Sequence, residues 1–388
     1  MTQTTPPGAA TLPGPTLGVV GGGQLGRMLA EAASPLGVEV VVLDPTDPCP
    51  AAPVAADQIV AEFDDPDGIA QLAERCDRLT LEIELAGPEA LEAVDAPVDP
   101  APSTLATIRD KLVQMEHFEA AGVPLPPFRR VDDADDLAAA LDDLGSPVML
   151  KARTGGYDGR GNMPVHEGYD LEAAIDAIGG PAMAEAFVDF ERELAVIAAR
   201  GDGELALHPV TETVHADEIL RETVVPPGCD EAVAARAQAV ARDAVAALDG
   251  RGVFGIELFE TNDGDVLLNE VAPRPHNSGH WTIEGAVTSQ FEQHVRAVLG
   301  WPLGATDRVH EAVVSVNLLG DGTTARPAAV SNLDPLLATP RAHLHWYGKA
   351  EMRPLRKMGH VTVTSVAADV DRVRSRAASL RDRLDFAE

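Results

Sequence analysis

The first hundred residues of this chain alternate between short apolar runs and segments with helical periodicity. Strands that alternate with helices in this way form a parallel sheet with helices on both faces. The alternation stops near residue 103 and therefore predicts an N-terminal α/β unit. Its elements are the predicted strands 17–20, 38–43 and 78–83 and the predicted helices 27–34, 67–75 and 87–94.

Beyond residue 103 the pattern changes to longer helices and to strands that pair in sequence. Asn262-Asp263-Gly264 is a hairpin turn signal between two apolar strands. From residue 311 the chain is rich in strands, and it ends in a charged helix. The predicted helices are 103–121, 133–144, 231–248 and 291–299, and the predicted strands are 147–152, 183–188, 193–199, 252–259 and 265–269.

Residues 1–16 are rich in Thr, Pro and Gly and have neither a basic start nor an apolar core. This composition predicts a disordered leader rather than a signal peptide. No apolar run in the chain approaches the roughly 20 residues that a membrane span needs. We therefore expect a cytoplasmic protein.

The formal net charge of −32 limits the partners of this chain. Such a surface repels nucleic acid, so we expect no DNA or RNA binding. It also repels nucleotides and sugar phosphates, and sites for them must be built from local cations. High acidity with only four lysines favours a halophilic protein, in which salt screens the repulsion. The alternative is a drift of composition towards Ala, Asp, Arg and Gly.

The first glycine cluster, Gly21, Gly23 and Gly26, follows a predicted strand and opens a helix. With Asp44 after the next strand, it has the spacing of a dinucleotide fingerprint. Taken alone it would indicate a nicotinamide-dependent dehydrogenase. The same glycine turn also serves other anions, or only close packing, and a stronger nucleotide signal lies downstream.

That signal is the segment from Lys151 to Asn162, where a strand ending in lysine leads into a loop with four glycines. Such a loop can close its amides over phosphates while the lysine supplies a point charge. No Gly-Lys-Ser/Thr follows, which excludes a Walker A loop. The alternative is a flexible hairpin, but Tyr157, Asp158 and Arg160 favour phosphate binding.

Glu257 and Glu270 lie on the two strands of the predicted hairpin, where they could face each other beside Asn269. Two carboxylates and an amide oxygen suit a magnesium ion that bridges nucleotide phosphates. The alternative is a solvated pair at a sheet edge. The apolar neighbours of both acids argue against it, because a charge in a buried run needs a partner.

The most unusual stretch is the polar run, residues 274–281, with the sequence Arg-Pro-His-Asn-Ser-Gly-His-Trp. Its prolines and polar side chains suit neither a helix nor a core, and we predict a polar binding site. A second concentration of cations is the basic patch, Lys349, Arg353, Arg356 and Lys357, with His343, His345 and His360 nearby. It suits a substrate phosphate; surface ion pairs are the alternative.

Taken in order, these motifs resemble one family. The sequences Gly-Gly-Gly-Gln-Leu-Gly-Arg-Met, Arg-Thr-Gly-Gly-Tyr-Asp-Gly-Arg-Gly, Asn-Glu-Val-Ala-Pro-Arg-Pro-His-Asn-Ser-Gly-His-Trp-Thr and His-Trp-Tyr-Gly-Lys are similar to those of the N5-carboxyaminoimidazole ribonucleotide synthases. The similarity runs from about 17 to about 363. It implies an ATP-grasp fold with a Rossmann-like pre-ATP-grasp domain at 17–106, an ATP-grasp domain at 107–300 and a small strand-rich C-terminal domain at 301–388.

The resemblance also implies a role for each matching position. Side chains expected to bind ATP are Lys111, Lys151, Glu185, Ala186, Phe187, Val188, Glu193, His215 and Asn269, with Gly156, Tyr157, Asp158, Gly159, Arg160, Gly161 and Asn162 as the lid loop. Those expected at the ribonucleotide are Gln24, Leu25, Glu84 and Ser278. Those expected to hold its phosphate and carboxyphosphate are Tyr157, Asp158, Arg160, Arg274, His276, Asn277, Lys349 and Arg356. Magnesium, or manganese in its place, would bind Glu257 and Glu270.

The implied reaction joins ATP, bicarbonate and 5-aminoimidazole ribonucleotide in purine biosynthesis. The family further suggests a homodimer and a mutase that takes the product. Two departures stand out, since the segment 349–356 is a residue longer than in some members and Met115 replaces a frequent lysine. Rival hypotheses are another ATP-grasp ligase, such as the formate-dependent glycinamide ribonucleotide transformylase, the dehydrogenase, and a non-catalytic nucleotide-binding subunit.

Overall fold

The computed structural model describes residues 10–155 and 161–386. Its N-terminal unit is a four-stranded parallel sheet in the order β3-β2-β1-β4, which confirms the α/β prediction. The sheet is buried on both faces, because Val19 packs into one core cluster and Val20 into another. The elements are β1 (Thr16–Val20), β2 (Glu39–Leu43), β3 (Asp57–Ile59), β4 (Arg78–Leu81), α1 (Gln24–Ala33), α2 (Pro66–Arg75) and α3 (Pro88–Glu92).

Two elements differ from the prediction here. Strand β3 was not predicted, because its polar residues lack the apolar signature of a strand. The predicted leader is partly described: residues 1–9 lie outside the described residues, whereas the amide of Gly14 donates to the carbonyl of Gly37 over 3.0 Å.

The predicted single helix at 103–121 is wrong. The structure has α4 (Pro102–Arg109) and α5 (Lys111–Ala120), separated by Asp110 in an extended conformation. The carboxylate of Asp110 accepts hydrogen bonds from the amides of Leu112 and Val113, and it therefore starts a new helix. This break places Lys111 in the first turn of α5.

A small antiparallel sheet follows, in the order β5-β8-β6-β7, with two helices packed on it. The β6–β7 hairpin carries the glycine loop, and the amide of Ala152 donates to the carbonyl of Gly161 at its base over 2.7 Å. The second helix was not predicted. The elements are β5 (Phe128–Val131), β6 (Val148–Ala152), β7 (Asn162–Val165), β8 (Ala182–Ala186), α6 (Ala134–Leu144) and α7 (Leu171–Ile178).

A large antiparallel sheet forms the body of the molecule, in the order β14-β13-β9-β11-β12-β15-β19-β17, with β10 also paired to β9. Most strands from residue 312 onward join it directly, since β12 pairs with β15. Its strands are β9 (Phe190–Arg200), β10 (Leu205–Leu207), β11 (Thr211–Ala216), β12 (Ile219–Val225), β13 (Gly252–Thr261), β14 (Val266–Ala272), β15 (Ala312–Leu319), β17 (Ala342–Trp346) and β19 (Lys357–Ser365), and β16 (Arg326–Pro327) pairs separately with β18 (Glu351–Met352).

Five further helices lie within the described residues. The long helix α8 packs its buried Ala and Val residues against β9, β13 and β14. Helix α10 packs between the large sheet and the N-terminal unit. No helix in the described part of the chain is long and apolar enough to cross a membrane. The helices are α8 (Glu231–Ala246), α9 (Thr282–Gly285), α10 (Gln290–Val298), α11 (Asp334–Leu337) and α12 (Val370–Arg381).

Candidate active site

The two predicted metal-binding acids face each other, as expected from the hairpin. Glu257 on β13 and Glu270 on β14 are register partners, next to a bulge between Glu257 and Leu258. Glu270 Oε2 accepts a hydrogen bond from Lys111 Nζ at 3.0 Å. The charge of Glu270 raises the pKa of Lys111, and Lys111 in turn lowers the pKa of Glu270. The first turn of helix α5 thus places the Lys111 ammonium group beside the acid pair.

Glu257 differs from Glu270 because its pKa is raised instead of lowered. Burial has the largest effect and raises the pKa of the Glu257 carboxyl group, the charge of His215 opposes this, and the charges of Glu270 and Glu193 raise the pKa further. Its Oε1 atom lies 3.6 Å from His276 Nε2 of the polar run. This position therefore concentrates negative charge that a bound cation would relieve.

Lys151 lies at the end of β6 and is buried with Glu185 of β8. Its Nζ atom donates to Glu185 Oε1 at 2.7 Å and lies 3.5 Å from Asn269 Oδ1. Three residues predicted to bind the nucleotide therefore share one cluster. The lid residues Gly156, Tyr157, Asp158, Gly159 and Arg160 lie outside the described residues, whereas Gly161 and Asn162 form the far side of the hairpin base.

The chain from Glu185 to Val188 crosses from the small sheet to the large one. Ala186 ends β8, and its amide donates to the carbonyl of Pro127. The ring of Phe187 is 49% exposed, which leaves an aromatic face free for a planar ligand. On the large sheet, Glu193 Oε2 lies 2.8 Å from His215 Nδ1. Burial is the largest single effect on His215 and lowers its pKa, but the hydrogen bond to Glu193 and the charges of Glu257 and Glu193 together outweigh burial and raise the pKa.

The polar run is more buried than its composition predicts. The side chains of Ser278, His280 and Trp281 are almost wholly buried, and Trp281 Nε1 donates to Thr211 Oγ1 at 2.8 Å. The run also contains a 3-10 turn, Asn277–Gly279. The expectation of a stretch unsuited to a core or a helix was wrong, because its buried side-chain polar atoms other than His280 Nε2 and Arg274 Nε have hydrogen-bond partners, and Arg274 Nε forms an ion pair with Glu84.

The exposed side of the run meets the N-terminal unit. Arg274 Nε forms an ion pair with Glu84 Oε1 at 2.7 Å, and Gln24 Nε2 lies 3.5 Å from Asn277 Oδ1. Four predicted substrate residues therefore come together at this junction. Two others are placed differently: the side chain of Leu25 packs in the N-terminal core, and the hydroxyl of Ser278 is bonded to His276 Nδ1.

The first glycine cluster is occupied by the protein itself. Glu82, just after β4, accepts hydrogen bonds from the amides of Gly23 and Gly26 at 2.5 and 2.8 Å. Asp44 accepts from the amides of Gly22 and Thr46 at 2.9 and 2.8 Å. The amides that would hold a pyrophosphate, and the acid that would hold a ribose, are thus already bonded. This geometry disfavours the dehydrogenase hypothesis.

The Glu82 carboxyl predicts a pH-dependent stability. Burial raises its pKa from 4.5 to about 7, against the lowering effect of the Gly26 and Gly23 amides. Between these pH values the folded protein keeps a proton that the unfolded chain has lost, so the free energy of unfolding falls as pH rises. The contribution is about 3 kcal/mol at ~1.4 kcal/mol per pKa unit.

We expect Glu82→Gln to remove this slope, because the amide cannot ionise. Urea unfolding of both proteins at pH 5 and pH 8 measures it. If the wild type and Glu82→Gln lose the same stability between these pH values, Glu82 does not carry the titration.

The basic patch is only partly a surface feature. Lys357 is buried, and His345 and His360 belong to a stack of rings with His280, at centroid distances of 4.4 and 4.8 Å. Burial lowers the pKa of His280 and His360 well below the ordinary value, so both are neutral. The inclusion of His360 in a positive patch was therefore wrong.

In the outer part of the patch, two cations bond to backbone carbonyls of the same segment. Lys349 Nζ donates to the carbonyl of Lys357 at 2.7 Å and lies 5.7 Å from the centre of the Tyr347 ring. Arg356 Nη1 donates to the carbonyl of Glu351, whereas Arg353 is exposed. The histidine stack joins this hairpin to the polar run through His280.

Three segments of the chain match known domains in the predicted order. Residues 15–109 match the ribonucleotide synthetase preATP-grasp domain, 116–291 the ATP-grasp domain and 313–376 the phosphoribosylaminoimidazole carboxylase C-terminal domain. An N5-carboxyaminoimidazole ribonucleotide synthase of Brucella melitensis is 45% identical over 356 residues, which cover 90% of this chain and 96% of that protein. The chain belongs to the N5-carboxyaminoimidazole ribonucleotide synthase family.

Other members of this family extend the comparison. The phosphoribosylaminoimidazole carboxylase of Schizosaccharomyces pombe is 42% identical over 90% of this chain, which spans only 65% of that longer protein. A crystal structure of the Aspergillus clavatus synthase, in complex with ADP and 5-aminoimidazole ribonucleotide, superposes with a TM-score of 0.87. It is 35% identical, and the match covers 95% of this chain and 99% of that one.

Members of this ATP-grasp family are expected to use magnesium, and the residues present fit it. Within residues 10–155 and 161–386, no group of three or more His, Cys, Asp or Glu side chains is arranged to hold a metal by itself. Magnesium at nucleotide sites takes only one or two carboxylates from the protein and its other ligands from phosphates and water. The facing carboxyl groups of Glu257 and Glu270 match that requirement.

Sequence reasoning missed two side chains that shape this synthase site. Glu82 was read only as part of a strand end, and its bonds to the glycine amides join residues 56 and 59 positions apart. Gln290 was left just outside the predicted helix 291–299, whereas its side-chain amide holds the backbone of His276. An ordinary helix or strand pattern contains no signal for such contacts.

Proposed function

We propose that this enzyme uses ATP and bicarbonate to carboxylate 5-aminoimidazole ribonucleotide, giving N5-carboxyaminoimidazole ribonucleotide, ADP and phosphate in purine biosynthesis. The observation that carries the proposal is the 3.6 Å contact between Glu257 and His276. It joins the cluster expected to hold nucleotide phosphates to the residues expected to hold the acceptor. Family membership and the ligands of the Aspergillus clavatus structure support it.

In the first half of the reaction, the γ-phosphoryl group of ATP passes to a bicarbonate oxygen and forms carboxyphosphate. Such transfers need positioning and charge neutralisation more than covalent help. Lys111 and Lys151 would supply positive charge, with Phe187 against the adenine and Glu193 at the ribose. Magnesium, held by Glu257 and Glu270, would neutralise the phosphate oxygens.

In the second half, the amine of the ribonucleotide attacks the carboxyl carbon and phosphate leaves, carrying away the amine proton. Arg274, His276 and Asn277 would hold the carboxyl donor, while Lys349 and Arg356 would hold the ribonucleotide phosphate. Carboxyphosphate decomposes in water, so the lid loop around Gly161 would exclude solvent during the transfer. Released carbon dioxide is an alternative carboxyl donor in this step.

A stimulated ATPase assay tests the proposal. We expect ADP release to require both bicarbonate and 5-aminoimidazole ribonucleotide, because the transferred phosphoryl and the carboxyl acceptor bind at one junction. Stimulation only by formate with glycinamide ribonucleotide would favour the alternative ligase. Absence of ADP release with either pair would favour the non-catalytic subunit. Running the assay at low and at molar salt also tests the halophilic prediction.

The homodimer, the transfer of product to a downstream mutase, the choice between magnesium and manganese, and the cytoplasmic location stay predictions. The family and the composition of the chain support them. The domain boundaries 17–106, 107–300 and 301–388 are likewise proposed, with 301–388 sharing the large sheet through the β12–β15 pairing.

A further inference from the structure

The side chain of Gln290, the first residue of helix α10, is hydrogen-bonded to the backbone of the polar run. Gln290 is fully buried, and its Oε1 atom accepts from the amide of His276 at 2.9 Å. Its Nε2 atom donates to the carbonyl of the same residue at 2.7 Å. One side-chain amide therefore satisfies both polar groups of one residue's backbone, as a neighbouring strand would.

The same residue is tied to the far end of the run. The backbone amide of Gln290 donates to Thr282 Oγ1 at 2.9 Å, and this hydroxyl donates to the carbonyl of Gly279 at 2.6 Å. A Cβ atom at Gly279 would lie 2.4 Å from Gln290 Oε1, and only glycine fits beside this side chain. The path of the run is thus set by the start of α10.

The two hydrogen bonds from Gln290 to the His276 backbone determine where the imidazole of His276 points. Burial lowers the pKa of this ring well below the ordinary value, and it is neutral. Its Nδ1 atom accepts from the amide of Ser278 at 3.3 Å and lies 2.8 Å from the Ser278 hydroxyl. The ring hydrogen therefore resides on Nε2, which faces Glu257 Oε1 at 3.6 Å.

The ring has little room to adopt another position. A Cβ atom at Gly255 of β13 would lie 2.4 Å from His276 Cβ. His276 therefore lies between the backbone of Gly255, which has no side chain, and the side-chain amide of Gln290. A shift of the 276 backbone would move both the Nε2–H donor and the neighbouring Asn277, which lies beside Gln24.

We propose that Gln290 is a positioning residue for carboxyl transfer, and that its amide couples ATP consumption to carboxylation by fixing His276 and Asn277. The inference rests on the proposed function. Phosphoryl transfer to bicarbonate depends on Lys111, Lys151 and the acid pair, none of which Gln290 touches. With the run displaced, carboxyphosphate still forms but is hydrolysed to bicarbonate and phosphate before the amine attacks it.

The chain offers a matched control three residues along the same helix. Gln293 is also fully buried, and its side-chain amide is hydrogen-bonded to the backbone of Gly304 in the same way. Its Nε2 atom donates to the Gly304 carbonyl at 2.7 Å, and its Oε1 atom accepts from the Gly304 amide at 2.9 Å. Replacing either glutamine with methionine removes two hydrogen bonds to one backbone residue from a buried site. At Gln290 it also removes the 3.4 Å contact between Nε2 and His280 Nδ1.

The experiment compares Gln290→Met with Gln293→Met in the full-length enzyme. ADP and N5-carboxyaminoimidazole ribonucleotide are measured in the same reaction, with saturating 5-aminoimidazole ribonucleotide and bicarbonate. For Gln290→Met we expect product formation to fall about 10-fold to 100-fold, since small misplacements of reacting groups have effects of this size. The ratio of ADP to product should rise several-fold while the KM for ATP stays within about two-fold.

Gln293→Met should keep the wild-type ratio even if urea unfolding shows an equal loss of stability. Equal ratios in the two variants would overturn the proposal and make Gln290 a purely structural residue. If Gln290→Met does not fold, Gln290→Glu retains the shape and the acceptor for the His276 amide but loses the donor. A wild-type ratio in Gln290→Glu would then overturn the proposal. Failure of the wild type to make product would refute the proposed function instead.

Discussion

Replacement of Glu270 by glutamine is expected to lower turnover about 100-fold or more, since magnesium supplies several kcal/mol of charge stabilisation to phosphoryl transfer. The change removes the charge from one of two facing carboxylates, and it also leaves Lys111 without its ion-pair partner. ADP release measured over a range of magnesium concentrations should show a raised magnesium requirement as well as a lower maximum.

Glu260→Gln is the matched control for this change. Glu260 lies on the same strand as Glu257 but pairs with Arg192, on the part of β13 beyond the acid pair. Its replacement should leave the magnesium dependence unchanged. An unaltered rate in Glu270→Gln would refute the metal-binding role of the pair, and a loss of equal size in Glu260→Gln would show that any lost acid on this hairpin has the same effect.

Lys151→Met should damage both stability and nucleotide binding. Lys151 and Glu185 are buried together at 2.7 Å, and removal of one partner leaves the other charge buried and unpaired. Loss of one member of a buried pair costs about 3–5 kcal/mol of unfolding free energy. The loss of a charged hydrogen bond to phosphate should also raise the Kd for ATP about 10-fold to 100-fold.

The double variant Lys151→Met/Glu185→Gln separates the two effects. Its uncharged pair should recover most of the stability in urea unfolding, because no lone charge remains buried. ATP binding, measured by calorimetry, should stay weak, since the phosphate contact is still missing. Recovery of ATP affinity in the double variant would contradict a phosphate-binding role for Lys151.

Much of the local structure follows from patterns within short windows of the chain. Apolar runs such as 17–20 and 38–43 mark buried strands, and the turn at Asn262-Asp263-Gly264 sets the hairpin that pairs Glu257 with Glu270. The break at Asp110 in the helix predicted for 103–121 was missed, because an aspartate can lie on the exposed face of a continuous helix or cap the start of a new one. Only the contacts of Asp110 with Arg153 and the α5 amides decide which role it has.

The chemistry of individual motifs was also accessible, but their burial was not. The polar run was predicted as a binding site from its residue types. Its burial could not be foreseen, because the partners of its polar atoms, Thr211 and Gln290, come from other elements. His360 of the basic patch was misread for the same reason, since stacking between β17, β19 and the run removes its ring from solvent.

The sequence by itself determined the family, the order of the elements and the residue types available for phosphate, metal and acceptor. Tertiary structure alone decided which of them meet: Lys111 with Glu270 across 159 positions, and Gln24 with Asn277 across 253. It also decided that the first glycine cluster holds Glu82 instead of a phosphate. The physical reason is that hydrogen bonds and ion pairs depend on distances of a few ångströms, and for remote segments only the packing of sheets and helices sets those distances.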